Sequence, residues 1–67
     1  MEEAKTLGGR IQAGRKAAGL SQEQLGERLD VTRQAVSKWE SGASDPSTSN
    51  LIALARLYGV TAEELLR

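Results

Sequence analysis

The sequence predicts an all-α domain of five helices. Three observations lead there: apolar residues recur at helical spacing in separate stretches, capping and stop residues bracket those stretches, and no stretch alternates apolar and polar as a half-buried strand does. At 67 residues the chain is close to the smallest size that buries enough surface to fold, so residues 1–67 are expected to form a single domain. With 39% hydrophobic and 27% charged residues, the composition is that of a soluble globular protein and argues against disorder or a fibrous repeat.

A first helix is expected from about Thr6 to Ala18, with Leu7, Ile11 and Ala18 on one stripe and Gly19 as its left-handed stop. Gly8, Gly9 and Gly14 fall inside it. Each costs about 0.8–1 kcal/mol relative to alanine, so this helix depends on tertiary packing. Ser21 and Gln24 have capping-box spacing, and Leu25 and Leu29 follow one turn apart, which starts a second helix. It should end near Asp30, a residue that tolerates the left-handed conformation of a tight turn. Thr32 then caps a third helix that buries Val36 and Trp39, with Ala35 close in, while Arg33, Gln34, Ser37 and Lys38 point elsewhere and Gly42 stops it. Between Ser41 and Ser49 the run of Ser, Gly, Asp and Pro reads as a loop. A fourth helix, from about Thr48 to Tyr58, presents Leu51, Leu54, Ala55 and Tyr58 on one face and closes at Gly59. Thr61 and Glu64 form a second capping box before a short fifth helix, and Tyr58, Leu65 and Leu66 are expected in the core.

Enzymatic chemistry finds little support. The chain has no cysteine and no histidine, which removes thiolate and imidazole metal ligands and the commonest general base, and no carboxylates cluster in the sequence. Ser37 beside Lys38 is not a dyad, because adjacent helical residues point in different directions. The chain reads as no enzyme, with no cofactor and no metal. Two glutamates and a lysine stand where a secretory signal needs an apolar run, and no stretch approaches the roughly 20 apolar residues of a membrane span, so the expected location is cytoplasmic with no membrane partner. Nine basic and nine acidic residues leave a net charge of zero, short of the basic footprint of a strong nucleic-acid binder. Arg10, Arg15, Lys16, Arg28, Arg33 and Lys38 all precede Trp39, whereas Ser41 to Ala55 carries no basic residue, so any cationic face is local.

The second and third helices are joined by only a few residues, and such a turn makes two helices cross steeply. Close approach at that crossing asks for a small residue, met by Gly26, for apolar plugs, met by Leu25, Leu29, Val31, Val36 and Trp39, and for a turn-tolerant residue, met by Asp30. This pattern is a helix-turn-helix over about residues 22–41.

The segments Gly19–Leu25, Val31–Glu40 and Asn50–Ala55, with Tyr58-Gly59-Val60, resemble in order and spacing the phage-repressor-like helix-turn-helix domains of the Cro/cI, or XRE, type, from Leu7 through Leu66. The resemblance implies a compact five-helix lambda-repressor-like fold from a bacterial or phage source. Its third helix would read operator DNA in the major groove, bound as a homodimer with half-sites about one helical turn apart, and as a weak dimer or monomer alone. Mapped onto this chain, base contacts fall to Thr32, Arg33, Gln34, Ser37 and Lys38. Arg33 or Lys38 suits guanine O6 and N7, Gln34 adenine N6 and N7, and the Thr32 methyl a thymine methyl. Phosphate contacts fall to Ser21, Gln22 and Ser41, with Arg10 and Lys16 as further candidates, and Arg15 with Glu40 corresponds to a structural ion pair in relatives. Gly14 departs from the pattern, standing where many relatives carry leucine. Either the first helix approaches Trp39 closely there or a packing defect remains, and compensation by the indole is expected. Thr48 replaces a commonly apolar residue, and Asp45 a cation found in some relatives, so phosphate affinity should be modest. The expected function is sequence-specific transcriptional regulation, as a repressor. The alternative is a protein-interaction module or antitoxin-like regulator using the same fold, favoured by the zero net charge.

Overall fold

The computed structural model describes residues 5–66, so 1–4 and 67 of the expected unit lie outside it. Among the described residues the chain forms five helices and no strand: α1 (Leu7–Ala17), α2 (Gln22–Leu29), α3 (Arg33–Ser41), α4 (Thr48–Tyr58) and α5 (Ala62–Leu66). The Cα radius of gyration is 10.5 Å, against about 11 Å for a compact chain of this length. No described segment strays from the packed body.

Every helix begins where a side-chain oxygen takes up an orphan amide. Thr6 Oγ1 accepts from the Gly9 N–H at 3.0 Å, Thr32 Oγ1 from Ala35 at 3.1 Å, and Ser47 Oγ from Asn50 at 3.2 Å. Ser21 and Gln24 exchange two bonds, at 3.0 and 2.8 Å, and Thr61 and Glu64 do the same at 3.1 and 3.2 Å. Each such cap contributes about 1 kcal/mol. At the other end of α2, Asp30 is the one non-glycine among the described residues with positive φ, 59° with ψ 43°. It turns the chain directly into α3 while the Val31 N–H bonds back to the Gly26 carbonyl at 2.8 Å. A side chain on Gly26 would meet that same turn, 2.7 Å from the Val31 oxygen.

Ile11, Leu25, Val36 and Leu54 are wholly buried, and Trp39, Ala55 and Leu65 nearly so. Around this core α3 packs on α1 and α2, while α5 packs on α1 and α4. Two expected core positions are corrected. Ala18 is exposed because α1 ends at Ala17 and Ala18 serves as its cap. Leu66 is 58% exposed, since α5 is little more than one turn long and adjacent helical residues cannot both face inward.

The filling of the Gly14 gap is a further correction. A Cβ there would lie 2.6 Å from both Cδ2 and Cε2 of Tyr58, so the phenol, not the Trp39 indole, occupies the space. The Tyr58 hydroxyl donates to the Ile11 carbonyl at 2.7 Å and so anchors the ring against α1. Gly14→Ala is therefore expected to destabilise the domain by about 1–2 kcal/mol, the clash with an anchored ring outweighing the roughly 1 kcal/mol gained in helix propensity. Urea unfolding followed by Trp39 emission would show it, and a variant as stable as the parent would mean that the ring is free to move.

Burial pushes the Tyr58 phenol up to about 12, with the Glu40 carboxylate adding to the rise and the Arg15 guanidinium opposing it. The folded state thus favours the neutral phenol. This contribution is intact below the unfolded value near 10 and is lost as pH rises towards 12. Allowing for partial solvent screening, stability should fall by about 1–2 kcal/mol across that window through Tyr58 alone. Tyr58→Phe should show a correspondingly smaller drop in urea midpoint between pH 10 and 12, and an identical drop would remove the role assigned to the phenol.

Candidate nucleic-acid interface

At 3.6 residues per turn, Arg33, Ser37, Ser41, Gln34 and Lys38 fall within an arc of roughly 140° on α3. Val36 and Trp39 occupy the opposite side, against the core. Within that arc Arg33, Gln34, Lys38 and Ser41 are exposed and Ser37 is half-buried. The side chains of Arg33, Gln34 and Lys38 have no hydrogen-bond or ion-pair partner among the described residues, so their donors remain free for an outside ligand. Thr32, exposed just before the arc, uses its hydroxyl oxygen to cap the helix and keeps its methyl and O–H outward. No acidic side chain falls in the first turn of α3. The surface is therefore rich in donors, with acceptors only on Gln34, Ser and Thr, and it complements the acceptor-rich edges that guanine and thymine present in a major groove.

The start of α2 flanks this arc. Gln22 Nε2 donates to Glu40 Oε1 at 3.1 Å, and Glu40 borders the arc on the Arg33 side. The Gln22 and Glu23 backbone N–H groups precede the first intrahelical bond of α2, donated by Leu25 to Ser21, and find no acceptor among the described residues. Free amides at a helix start, on the positive end of its dipole, suit an anion, although the Glu23 side chain in the same turn works against one. Ser21 is exposed, and its Oγ accepts from Gln24 while its own proton stays free.

The remaining phosphate candidates are placed less favourably. The Ser41 hydroxyl donates its proton to the Lys38 carbonyl at 3.1 Å and accepts from the Ala43 N–H at 3.4 Å. Arg10 Nη1 donates to the Leu65 carbonyl at 3.3 Å, which ties it to α5 rather than to the start of α2. Lys16 lies exposed in the last turn of α1.

Arg15 and Glu40 hold the site together from beneath. Nε of Arg15 meets Glu40 Oε2 at 2.7 Å and Nη2 meets Oε1 at 3.2 Å, a two-point contact between side chains only 11% and 4% exposed. Nη1 donates to the Leu20 carbonyl at 2.9 Å and so fixes the turn into α2. The hydrogen bond that Arg15 donates to Glu40 raises the Arg15 pKa against the opposing effect of burial, which keeps the guanidinium charged. The link from Glu40 to Gln22 has no local sequence signal, since it joins residues that only the folded turn brings together.

The chain is similar to known proteins over most of its length. Residues 11–65 match the family described as helix-turn-helix. Over 57 residues, covering 85% of this chain and 28% of the relative, it is 44% identical to the HTH-type transcriptional activator BcrR of Enterococcus faecalis. It is 34% identical over 61 residues to repressor protein C2 of Salmonella phage P22, again 28% of that protein. The crystal structure of the P22 c2 repressor in complex with a synthetic operator matches with a TM-score of 0.88 at 33% identity, covering 94% of this chain and 96% of that one. The chain spans between 28% and 56% of the length of the curated relatives named here and their fellows. No helix among the described residues is long and apolar enough to cross a membrane. With five helices in the same arrangement and a family match over 11–65, the chain belongs to the phage-repressor-like, XRE-type helix-turn-helix family.

Proposed function

We propose that this domain binds double-stranded operator DNA as a transcriptional regulator in the cytoplasm, with α3 in the major groove. The observation that carries the reading is the exposed arc of α3, where Arg33, Gln34 and Lys38 stand unpartnered beside the free amides of α2. Thr32, Arg33, Gln34, Ser37 and Lys38 take the base edges. Ser21 and the Gln22 and Glu23 amides take phosphate, with Lys16 and Ser41 as outer contacts. Residues 22–41 form the reading part of one DNA-binding unit, bound as a two-fold dimer with half-sites about one helical turn apart. The relative named a repressor and the relative named an activator share this domain. We take repression, by occupancy of an operator that overlaps a promoter, as the mode here.

An amide NMR titration of the chain with mixed-sequence duplex DNA, at low and then physiological salt, tests the reading. Shifts should cluster at Ser21, Gln22 and Thr32 to Ser41 and shrink as salt rises. Still amides at low salt would favour the second reading, a protein partner, which the zero net charge supports. Within the DNA reading, Arg33→Ala is expected to lose about 1–3 kcal/mol at one base pair and to relax preference there. Gln22→Ala should weaken all sequences equally. Equal losses from both across a panel of duplexes would sink the division into base and phosphate contacts.

A further inference from the structure

The geometry points to Glu40 as a positioning residue for the phosphate contact of Gln22, an inference that rests on the DNA reading above. Glu40 is itself only 4% exposed in its side chain. Its two oxygens receive three donors: Oε2 takes Arg15 Nε, and Oε1 takes both Arg15 Nη2 and Gln22 Nε2. The last of these decides which way the Gln22 amide faces. A phosphate accepts hydrogen bonds and donates none, so only the Nε2 end of the glutamine can serve it. With one Nε2 proton committed to Glu40, the other is left for an outside acceptor, on the residue whose backbone N–H opens α2 without a partner among the described residues. Without Glu40 the amide is free to turn, and its carbonyl end repels phosphate as readily as its nitrogen end attracts it. Glu40 thus removes a rotamer and an amide flip before DNA arrives, and Arg15 keeps Glu40 in place while tying down the Leu20 carbonyl just ahead of α2.

Immobilising one such side chain in advance corresponds to about a threefold to tenfold gain in affinity. A double-mutant cycle on the full chain reads it, using a mixed-sequence duplex at low salt. Glu40→Gln keeps an oxygen that can accept from Gln22. The paired change Arg15→Met with Glu40→Leu removes the acceptor but replaces both charges with apolar groups of similar size, which commonly leaves a fold intact. Each is measured with Gln22 present and in the Gln22→Ala background, with circular dichroism at the binding temperature to establish that all are folded.

The expected result is a threefold to tenfold loss for the paired change when Gln22 is present, recovery of most of it in Glu40→Gln, and no further loss in the Gln22→Ala background. Equal losses in both backgrounds would overturn the positioning role and leave the DNA reading standing. A parent chain that does not bind the duplex overturns the DNA reading and the positioning role with it.

Discussion

Arg15→Ala is expected to lower stability by about 3–5 kcal/mol, the range found when one partner of a buried ion pair is removed. The loss arises less from the attraction forgone than from what is left behind. Glu40, 4% exposed, is left with only the Gln22 amide to answer it, and the Leu20 carbonyl loses its donor. A domain this small commonly has no more than about 3–5 kcal/mol in total, so the variant should be largely unfolded at room temperature by circular dichroism. Arg15→Lys should not restore it, because an ammonium cannot reach both Glu40 oxygens and the Leu20 carbonyl with the flat fork that does so here. A loss under 1 kcal/mol in Arg15→Ala would mean that water reaches Glu40 readily.

Gly8→Ala should lower stability by about 3 kcal/mol despite the gain of nearly 1 kcal/mol in helix propensity. A Cβ on Gly8 would press on the carbonyl oxygens of Trp39 and Glu40, the latter at 2.6 Å. Both are backbone atoms, and no side-chain rotation relieves them. The helices α1 and α3 must separate, which opens the contact that buries Ile11, Val36 and Trp39. For a domain of this size each kcal/mol moves the melting temperature by about 4–8 °C, so a fall of about 12–24 °C is expected in a thermal scan. An unchanged or raised melting temperature would show that α3 can give way at no cost to the core. The contrast with Gly14 is instructive, since there the obstacle is a ring and here it is the main chain.

Much of this fold is legible in the sequence because its signals are local. Thr6, Ser21, Thr32 and Thr61 lie within three or four residues of the amides they cap, and Asp30 and Gly42 act on the turns in which they stand. The division of α3 into a buried face at Val36 and Trp39 and an exposed face at Arg33, Gln34 and Lys38 follows from helical period alone. Contacts between helices are another matter. Periodicity says that the Gly14 side of α1 and the Tyr58 side of α4 both turn inward, but not that they meet, so the indole was the expected filler and the phenol is the actual one. Leu66 carries an apolar side chain with no helical turn left to bury it. In the site, the side-chain types fitting DNA are readable one by one. Their prior engagements, Ser41 with Lys38, Arg10 with Leu65 and Gln22 with Glu40, depend on distances that only the folded chain fixes.

The Tyr58 ring lying in the place of a missing side chain at Gly14 also constrains the order in which the two positions can change over generations. Growth at 14 while the ring is present meets a collision, and loss of the ring while 14 is still glycine leaves a void. Neither single step is neutral, and the void is the dearer of the two, at about 3–5 kcal/mol for a large aromatic. The two sites are therefore coupled in free energy, and their effects will not add. A lineage that moves from glycine and tyrosine to a bulkier residue at 14 and a smaller one at 58 has to cross that barrier. The crossing is easiest through intermediate sizes, such as alanine at 14 with leucine or methionine at 58, so descendants of this sequence should change at both positions or at neither.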